Sequence, residues 1–336
     1  MKPEYELVSF HIIEKFNTSS LVTWTYPSIS DALKQKLQQT CLLDKAHKSD
    51  FIYHRLDKQW IYIWECFKEQ KCYALALVTK SFNPNKYRQF GSHLCSIYEI
   101  NYKPIELVKV FLGAFTNGSY KVQQNGTQCN VYFNESKMIQ NETFEELVNA
   151  FDVEIILIFN ALLLKKRIFV YHTDFSSLLK HIEVMSRLID VKLRDPNEYL
   201  FPCVRNINFE LKGKTFFIAG VVDKNINIKP DAYDLFVNLQ NSSIKISPNS
   251  KDIFQMTKWH KEIALLLTNA ENTEKMTDLY TKTSNLLSNL KSFAEASPTE
   301  EGQSMVTLDA LRAKKLPAAM ENFLFNLAVA ENIMML

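Results

Sequence analysis

Glycine is scarce in this chain, with 7 residues in 336, about a third of the usual share. Phosphate cradles need several glycines at fixed spacing so that backbone N–H groups can approach the anion closely. No GxGxxG and no GxxxxGK[ST] occurs, and HExxH and GxSxG are missing as well. Nucleotide-dependent, zinc-protease and nucleophile-elbow chemistries are therefore not expected. Neither charge sign is in excess, with 39 Lys+Arg against 37 Asp+Glu, so nucleic acid is not the expected partner. Paired cysteine spacing is also lacking. Cys41, Cys66, Cys72, Cys95, Cys129 and Cys203 contain no CxxC, and read as free thiols in a reducing compartment. The spacing of Cys41, His47 and His54 fits no usual zinc pattern. No metal and no cofactor is expected.

Long hydrophobic runs are absent too. The longest, Ile155 to Leu164, is interrupted by Asn160 and followed by Lys165-Lys166-Arg167. As a helix it would span roughly 15 Å, about half a bilayer core, and it reads as a buried helix rather than a transmembrane segment. Met1 to Glu6 carry two acids with no apolar region behind them, which predicts no signal peptide and a cytoplasmic chain. The Asn125-Gly126-Thr127 and Asn134-Glu135-Ser136 sequons are then accidents of an Asn-rich stretch.

What is present is a regular alternation of short apolar segments and turn signals. Tyr5 to Lys15 and Leu21 to Tyr26, separated by Asn17-Thr18-Ser19-Ser20, predict a β-hairpin that stops at Pro27. Ser30 or Asp31 can cap a helix carrying Leu33 and Leu37. Strands are expected at 51–53, 60–67 and 72–78, then helices starting at Asn83-Pro84 and near Pro104. Closely linked strands favour an antiparallel sheet with helices packed on it. This first lobe covers 1–117, and the polar, Asn/Gln-rich stretch 118–142 reads as a linker. A second lobe, 143–250, opens with one helix from 143 to 164, followed by a buried strand at 168–171 and a helix carrying Leu178, Leu179, Ile182 and Met185. Further strands are expected at 199–204, 216–222 and 235–239. Helix alternating with strand predicts an α/β lobe with an at least partly parallel sheet. Residues 251–336 read as a helical portion. One helix shows Ile253, Met256, His260, Ile263 and Leu267 on a face, and the last starts at Pro317.

Several residues can be read in two ways. Lys165, Lys166 and Arg167 could contact phosphate or anionic lipid, or could be a solvated helix C-terminus complementing the macrodipole. Asp231, Tyr233 and Asp234 could form an acidic contact patch, or could be turn and capping residues. His260 on an apolar helical face reads as a hydrogen-bonded core histidine, and His172 at a strand end as a loop-side polar contact.

Three segments together resemble the DENN-domain family. Ala161-Leu162-Leu163-Leu164-Lys165-Lys166-Arg167-Ile168-Phe169-Val170-Tyr171 is similar to the family's central signature, a buried helix that ends in Lys/Arg and feeds a strand. Gly220-Val221-Val222-Asp223 with Pro230-Asp231-Ala232-Tyr233-Asp234-Leu235-Phe236-Val237-Asn238-Leu239 resembles its Gly-Val and Pro-Asp-x-Tyr-x-x-Phe-Val-Asn/Asp-Leu elements. Val22-Thr23-Trp24-Thr25-Tyr26-Pro27 resembles its upstream strand ending in Tyr-Pro. The resemblance spans nearly the whole chain. It implies an α/β, two-lobed DENN module with a longin-like N-lobe, an α/β C-lobe and a helical downstream portion. It also implies a regulator with no covalent chemistry, a guanine-nucleotide exchange factor for a Rab-family small GTPase in late-endosomal and secretory traffic. The switch region would be gripped in the cleft between lobes by Asn17, Thr18 and Tyr26, with Asp231 and Tyr233 as further interface candidates. Tyr26 could instead be a sheet residue packing on Pro27. The rival implication is a scaffold subunit of a coiled-coil, Commander-type endosomal recycling assembly, whose partners hold the protein peripherally on late endosomes.

Overall fold

A computed structural model describes residues 7–16, 19–41, 51–68, 71–124, 127–133, 142–223, 228–269, 274–296 and 304–335. Asn17, Thr18, His47, Asn125, Gly126 and residues 134–141 and 297–303 lie outside the described residues. The chain divides into two compact units, Met1–Gln140 and Asn141–Leu336.

In the N-terminal unit, Leu7–Phe16 (β1) and Ser19–Tyr26 (β2) form the expected antiparallel hairpin, with Phe10 opposite Tyr26 and a register shift between Ile12 and Ile13. Asp31–Thr40 (α1) follows, capped by Ser30, whose Oγ accepts the Leu33 N–H at 3.3 Å. Ile52–Leu56 (β3), Gln59–Lys68 (β4) and Lys71–Thr79 (β5) form a meander. It joins the hairpin through β1 and β5, giving the fully antiparallel order β2-β1-β5-β4-β3. Two helices follow. Pro84–Asn101 (α2) is capped by Asn83, whose Oδ1 accepts from the Lys86 N–H at 3.2 Å, and Pro104–Asn117 (α3) ends at Gly118 in the left-handed region, φ 65°. Helix α2 packs on β4 through Gly91: a Cβ built there would lie 1.9 Å from the Trp64 ring.

The stretch expected as a polar linker carries structure. Ser119–Gln124 (β6) and Thr127–Tyr132 (β7) pair antiparallel, with Tyr120 and Val122 buried and the Tyr120 ring edge-on to Phe90 at 5.0 Å. Two apolar residues at period 2 anchor an otherwise polar segment onto the helices.

The C-terminal unit opens with Glu142–Phe151 (α4), a 3₁₀ turn Asp152–Glu154, and Ile155–Leu163 (α5). The single helix expected from 143 to 164 is thus two. Asp152 adopts φ 45°, a left-handed conformation that ends a helix and that Asp tolerates better than most side chains. Arg167–Tyr171 (β8), Phe175–Ser186 (α6), Pro196–Tyr199 (α7), Leu200–Phe201 (β9) and Ile207–Glu210 (α8) come next. Phe217–Val221 (β10), Leu235–Asn238 (β11) and Ser243–Ile246 (β12) complete a sheet of order β12-β11-β8-β10-β9. β11, β8, β10 and β9 run parallel, and the edge strand β12 is antiparallel. Central strand β8 buries Ile168, Phe169 and Val170 completely, as a two-sided parallel strand must. The strand expected at 199–204 shortens to two residues because Pro202 has no N–H for the ladder. In β10, a Cβ on Gly220 would meet the Pro202 carbonyl oxygen at 2.1 Å, so the Gly-Val element is a packing feature.

The remaining chain is mainly helical: a 3₁₀ segment Pro248–Phe254, then Lys258–Thr268 (α9) and Lys275–Lys291 (α10). The short pair Glu295–Ala296 (β13) and Ser304–Met305 (β14) is followed by Leu308–Ala313 (α11) and Ala318–Ala330 (α12). The stripe expected over 253–267 is divided, because Thr257 and His260 form a capping box that starts α9 after Ile253 and Met256. His260 is the expected hydrogen-bonded core histidine, its Nδ1 accepting the Thr257 N–H at 3.2 Å.

Candidate functional site

Two patches that looked separate in the sequence meet in the C-terminal unit. Helix α5 closes with a Schellman turn. The Lys166 N–H donates to the Ala161 carbonyl at 2.8 Å and the Lys165 N–H to that of Leu162 at 3.2 Å. This turn puts Lys165 at the left-handed position usually given to glycine, φ 51°. It then delivers Arg167 to the first position of β8, beside the start of β11. There the Arg167 N–H donates to Asp234 Oδ2 at 2.8 Å, its Nε to the same oxygen at 3.1 Å and its Nη2 to Oδ1 at 3.2 Å. Ser250 Oγ donates to Oδ1 at 2.8 Å, and Arg167 Nη1 reaches the Asp231 carbonyl at 2.8 Å. Burial alone would raise the Asp234 carboxyl; the hydrogen bonds from Arg167 and Ser250 outweigh it and hold the group below its ordinary value.

These bonds engage Arg167 and Asp234 with each other. Arg167 is committed to Asp234, and Asp234 is a structural acceptor that pins β8 to β11 and to the segment after β12. Lys165 and Lys166 remain at the rim. Burial, and then the nearby Arg194, lowers the Lys165 ammonium against the opposing pull of Glu331 and Glu198. Burial also lowers Lys166, with Asp234 opposing and Arg167 adding to the effect. Buried Arg194 donates to the Leu163 carbonyl at 2.9 Å and pairs with Glu331. Asp231 sits exposed in the 3₁₀ turn Pro230–Ala232. Tyr233 is half-buried, its ring 5.8 Å from that of Phe236.

Tyr26 belongs to the N-terminal unit, at the end of β2. It is half-buried, its ring stacked on Trp24 at 6.3 Å and edge-on to Phe111 at 6.0 Å. At the end of β8, His172 makes the expected loop-side contact, its Nδ1 accepting the Asp174 N–H at 2.8 Å. Sequence reasoning missed Ser250, Arg194 and Glu331, each contributed from an element remote from the central signature. Only Glu331, which follows an apolar run, carries a local signal; Ser250 and Arg194 stand among other polar residues. The six cysteines are unbridged, with Cys66 and Cys95 Sγ atoms 3.2 Å apart. Among the described residues, no group of three or more His, Cys, Asp or Glu is placed to hold a metal ion, and no helix is long and apolar enough to cross a membrane.

Comparison with known proteins places this geometry in context. Residues 141–248 match the family described as SPA, stabilization of polarity axis. That span includes α5, β8, β11 and the Arg167–Asp234 pair. Over the whole length, the chain is 31% identical to DENN domain-containing protein 10 of Danio rerio, covering 98% of both chains. It is 32% identical to the Homo sapiens protein of the same name, over 96% of this chain and 95% of that one. It is 30% identical to the Dictyostelium discoideum protein so named, over 97% of each.

Proposed function

This chain belongs to the DENN-domain family, and from that membership we propose that it is an exchange factor or regulator of a Rab-family small GTPase. It acts on the cytoplasmic side of late-endosomal or secretory membranes, held there peripherally by its partners. In this reading residues 1–117 are the longin-like upstream lobe, 143–250 the central DENN lobe and 251–336 the downstream portion. The observation that carries it is similarity to DENN domain-containing proteins along the full chain, with the central signature built around Arg167 and Asp234.

Such a regulator needs no nucleophile. It must bind the open, nucleotide-poor GTPase better than the closed form, and a ~1000-fold faster release of GDP corresponds to about 4 kcal/mol of preferential stabilisation. A few interface hot spots supply that much. Tyr26 in one unit, and Asp231 with Tyr233 in the other, are the candidates among the described residues. Asp231 offers an exposed carboxyl for a basic switch residue, and both tyrosines present a partly exposed ring of the type enriched in hot spots. Asn17 and Thr18, which lie outside the described residues, complete the proposed contact.

The test is release of fluorescent GDP from a panel of purified Rab proteins, with and without the full chain. Marked acceleration of one or two, weakened at least about tenfold by Tyr26→Ala or Asp231→Lys in a folded protein, supports the reading. Flat traces and no Rab binding across the panel overturn it.

A second reading, a scaffold subunit of a coiled-coil endosomal recycling assembly, is favoured by one feature. An apolar groove of about 480 Å³ runs between α5 and α9, lined by Val153, Ile156, Leu157, Met256, Ala264 and Leu265. Leu265 there is 66% exposed. Exposed apolar side chains at helical spacing suit an amphipathic partner helix. Affinity purification with wild type and Leu265→Glu separates the readings: loss of coiled-coil partners with GDP release unchanged favours the scaffold.

A further inference from the structure

The lysine pair after α5 is left over once Arg167 is assigned to Asp234. Lys165 and Lys166 line a cleft of about 450 Å³ with Thr215, Asp234, Asn326 and Asn332 as its other polar residues. Among the described residues, no hydrogen bond or ion pair engages the ammonium of Lys165 or Lys166, the hydroxyl of Thr215 or the side-chain amide of Asn332. Two half-buried ammoniums and two exposed neutral donors therefore line one cleft, and none of the four is engaged by another group among the described residues.

The carboxylate in the wall does not fill that role. Both Asp234 oxygens are occupied, Oδ2 by the Arg167 N–H and Nε, Oδ1 by Arg167 Nη2 and Ser250 Oγ. Glu331, beside Lys165, is paired with buried Arg194. The cations near the cleft are Lys165, Lys166, Arg167 and Arg194, against the carboxylates of Asp234, Glu331 and Glu198. The four cations exceed the three carboxylates by one, and neither lysine ammonium is hydrogen-bonded or ion-paired to any of those carboxylates. Burial lowers both ammoniums, and an arriving anion would relieve that cost.

Backbone conformation supplies a separate observation. Lys165 holds φ 51° at the position of the Schellman turn where glycine has no steric penalty. A lysine there costs about 1 kcal/mol of conformational energy relative to glycine.

We propose that this cleft binds a phosphomonoester group, with Lys165 and Lys166 as its charge partners and Thr215 and Asn332 as neutral donors. A phosphomonoester carries about −1.5 to −2 charge near neutral pH and three acceptor oxygens, which matches two cations and two neutral donors better than a carboxylate does. Lysine serves such a group as a point charge and needs no bidentate geometry. The group could arrive on a soluble metabolite or protrude from a phosphoinositide headgroup. The chemistry at the cleft is the same for both and is independent of whether the chain acts on a GTPase.

The experiment has two arms on the full chain. Calorimetric titration with inorganic phosphate at constant ionic strength should show saturable binding. It should weaken at least about tenfold in Lys166→Gln and comparably in Lys165→Gly. The Lys165→Gly variant removes the ammonium but suits the left-handed backbone, so its melting temperature should hold or rise, and lost binding cannot be ascribed to unfolding. Exposed Lys192→Gln should bind phosphate as wild type does, which excludes a general charge effect. In the second arm the protein is sedimented with phosphatidylcholine vesicles, with and without phosphatidylinositol monophosphate. Headgroup-dependent sedimentation that fails in the two lysine variants assigns a lipid ligand; phosphate binding without sedimentation assigns a soluble one. Absence of both, or phosphate binding that survives in the Lys165→Gly/Lys166→Gln double variant, overturns the proposal.

Discussion

In the N-terminal unit the buried bulk is aromatic. Trp60, Tyr62 and Tyr53 are almost wholly buried on adjoining strands, and Tyr87 packs on Tyr62 with ring centroids 4.5 Å apart. In the C-terminal unit the sheet is mostly aliphatic, and its strand ends and helix ends are tied by charge: Arg167 with Asp234 and Ser250, and Arg194 with Leu163 and Glu331. Antiparallel neighbours can be joined by tight turns and held by cross-strand side-chain packing. A parallel sheet brings together strands separated by long crossovers, and Arg167 at the start of β8 is 67 residues from Asp234 at the approach to β11. Specific polar pairs mark where those distant strands meet, so the C-terminal unit should be vulnerable to loss of single charges and the N-terminal unit to changes of volume.

The sharpest break in that comparison is Asp234→Ala. It strips Arg167 of three hydrogen bonds and Ser250 of one. Loss of one partner of a largely buried pair costs about 3 kcal/mol, here confined to the C-terminal unit. Hydrogen-exchange mass spectrometry should show faster exchange in β8 and β11 and unchanged protection in β1 to β5. Replacing both partners, Arg167→Met with Asp234→Leu, should recover much of the loss.

Gly91→Ala is the counterpart in the N-terminal unit. The added methyl would fall inside the Trp64 ring, so α2 or the indole must move, at about 2–3 kcal/mol for an overpacked site. The hydrogen bond from Trp64 Nε1 to the Arg88 carbonyl, 3.3 Å, should lengthen or break. Exchange should now quicken in β4 and α2 alone. Equal softening of both units by either variant would erase the distinction.

Acid should first affect the units alike and then separate them. Each contains a buried histidine held neutral. Burial lowers His11 to about 3 and His260 to about 4. The unfolded chain takes up these protons near pH 6.5, before the folded one does. The associated stability is therefore full above that value and lost as pH falls, by about 2 kcal/mol per histidine at pH 5. Asp234 has the carboxylate sign. Its folded value lies below the ordinary one of about 3.9, so its contribution is present above that and disappears only as pH falls through the lower folded value. Urea titrations across pH should show both units weakening from pH 6.5 to 5. Wild type and a folded Asp234→Asn variant should lose stability in parallel there and diverge only below about pH 4.

Much of the architecture was legible in the sequence because it depends on local signals. The β1–β2 hairpin follows from alternation around a turn cluster, α2 from Asn83-Pro84, and β8 from an apolar run too short for a helix. The break at Asp152 was hidden because apolar spacing continues across it, and a single left-handed residue leaves no periodic trace. The β6–β7 hairpin was hidden by its polar composition, with only Tyr120 and Val122 to mark the buried face. At the candidate site, Lys165 to Arg167 and Asp231, Tyr233 and Asp234 were each open to two readings, a contact surface or ordinary helix-end and turn residues. Nothing in their spacing shows that a parallel crossover would pair Arg167 with Asp234 and leave the lysines facing a cleft with Thr215 and Asn332.

Asn160 gives the smallest effect and the most direct test of how far the C-terminal unit depends on polar pairing. It lies in α5, fully buried, and neither amide atom of its side chain has a hydrogen-bond partner among the described residues. On its helix the neighbours are Ile156, Phe159, Leu163 and Leu164, all buried. Unlike Asp234, it is a polar group in a charge-tied unit that ties nothing. An unpaired buried amide costs about 1–3 kcal/mol relative to a satisfied one, and leucine has similar volume. Asn160→Leu should therefore be neutral or stabilise the unit by up to about 1 kcal/mol, read as a rise in the denaturation midpoint with unchanged slope. A loss of stability instead would mean that the amide is satisfied in solution, by a buried water, and that polar pairing extends into the helix that leads to the lysine pair.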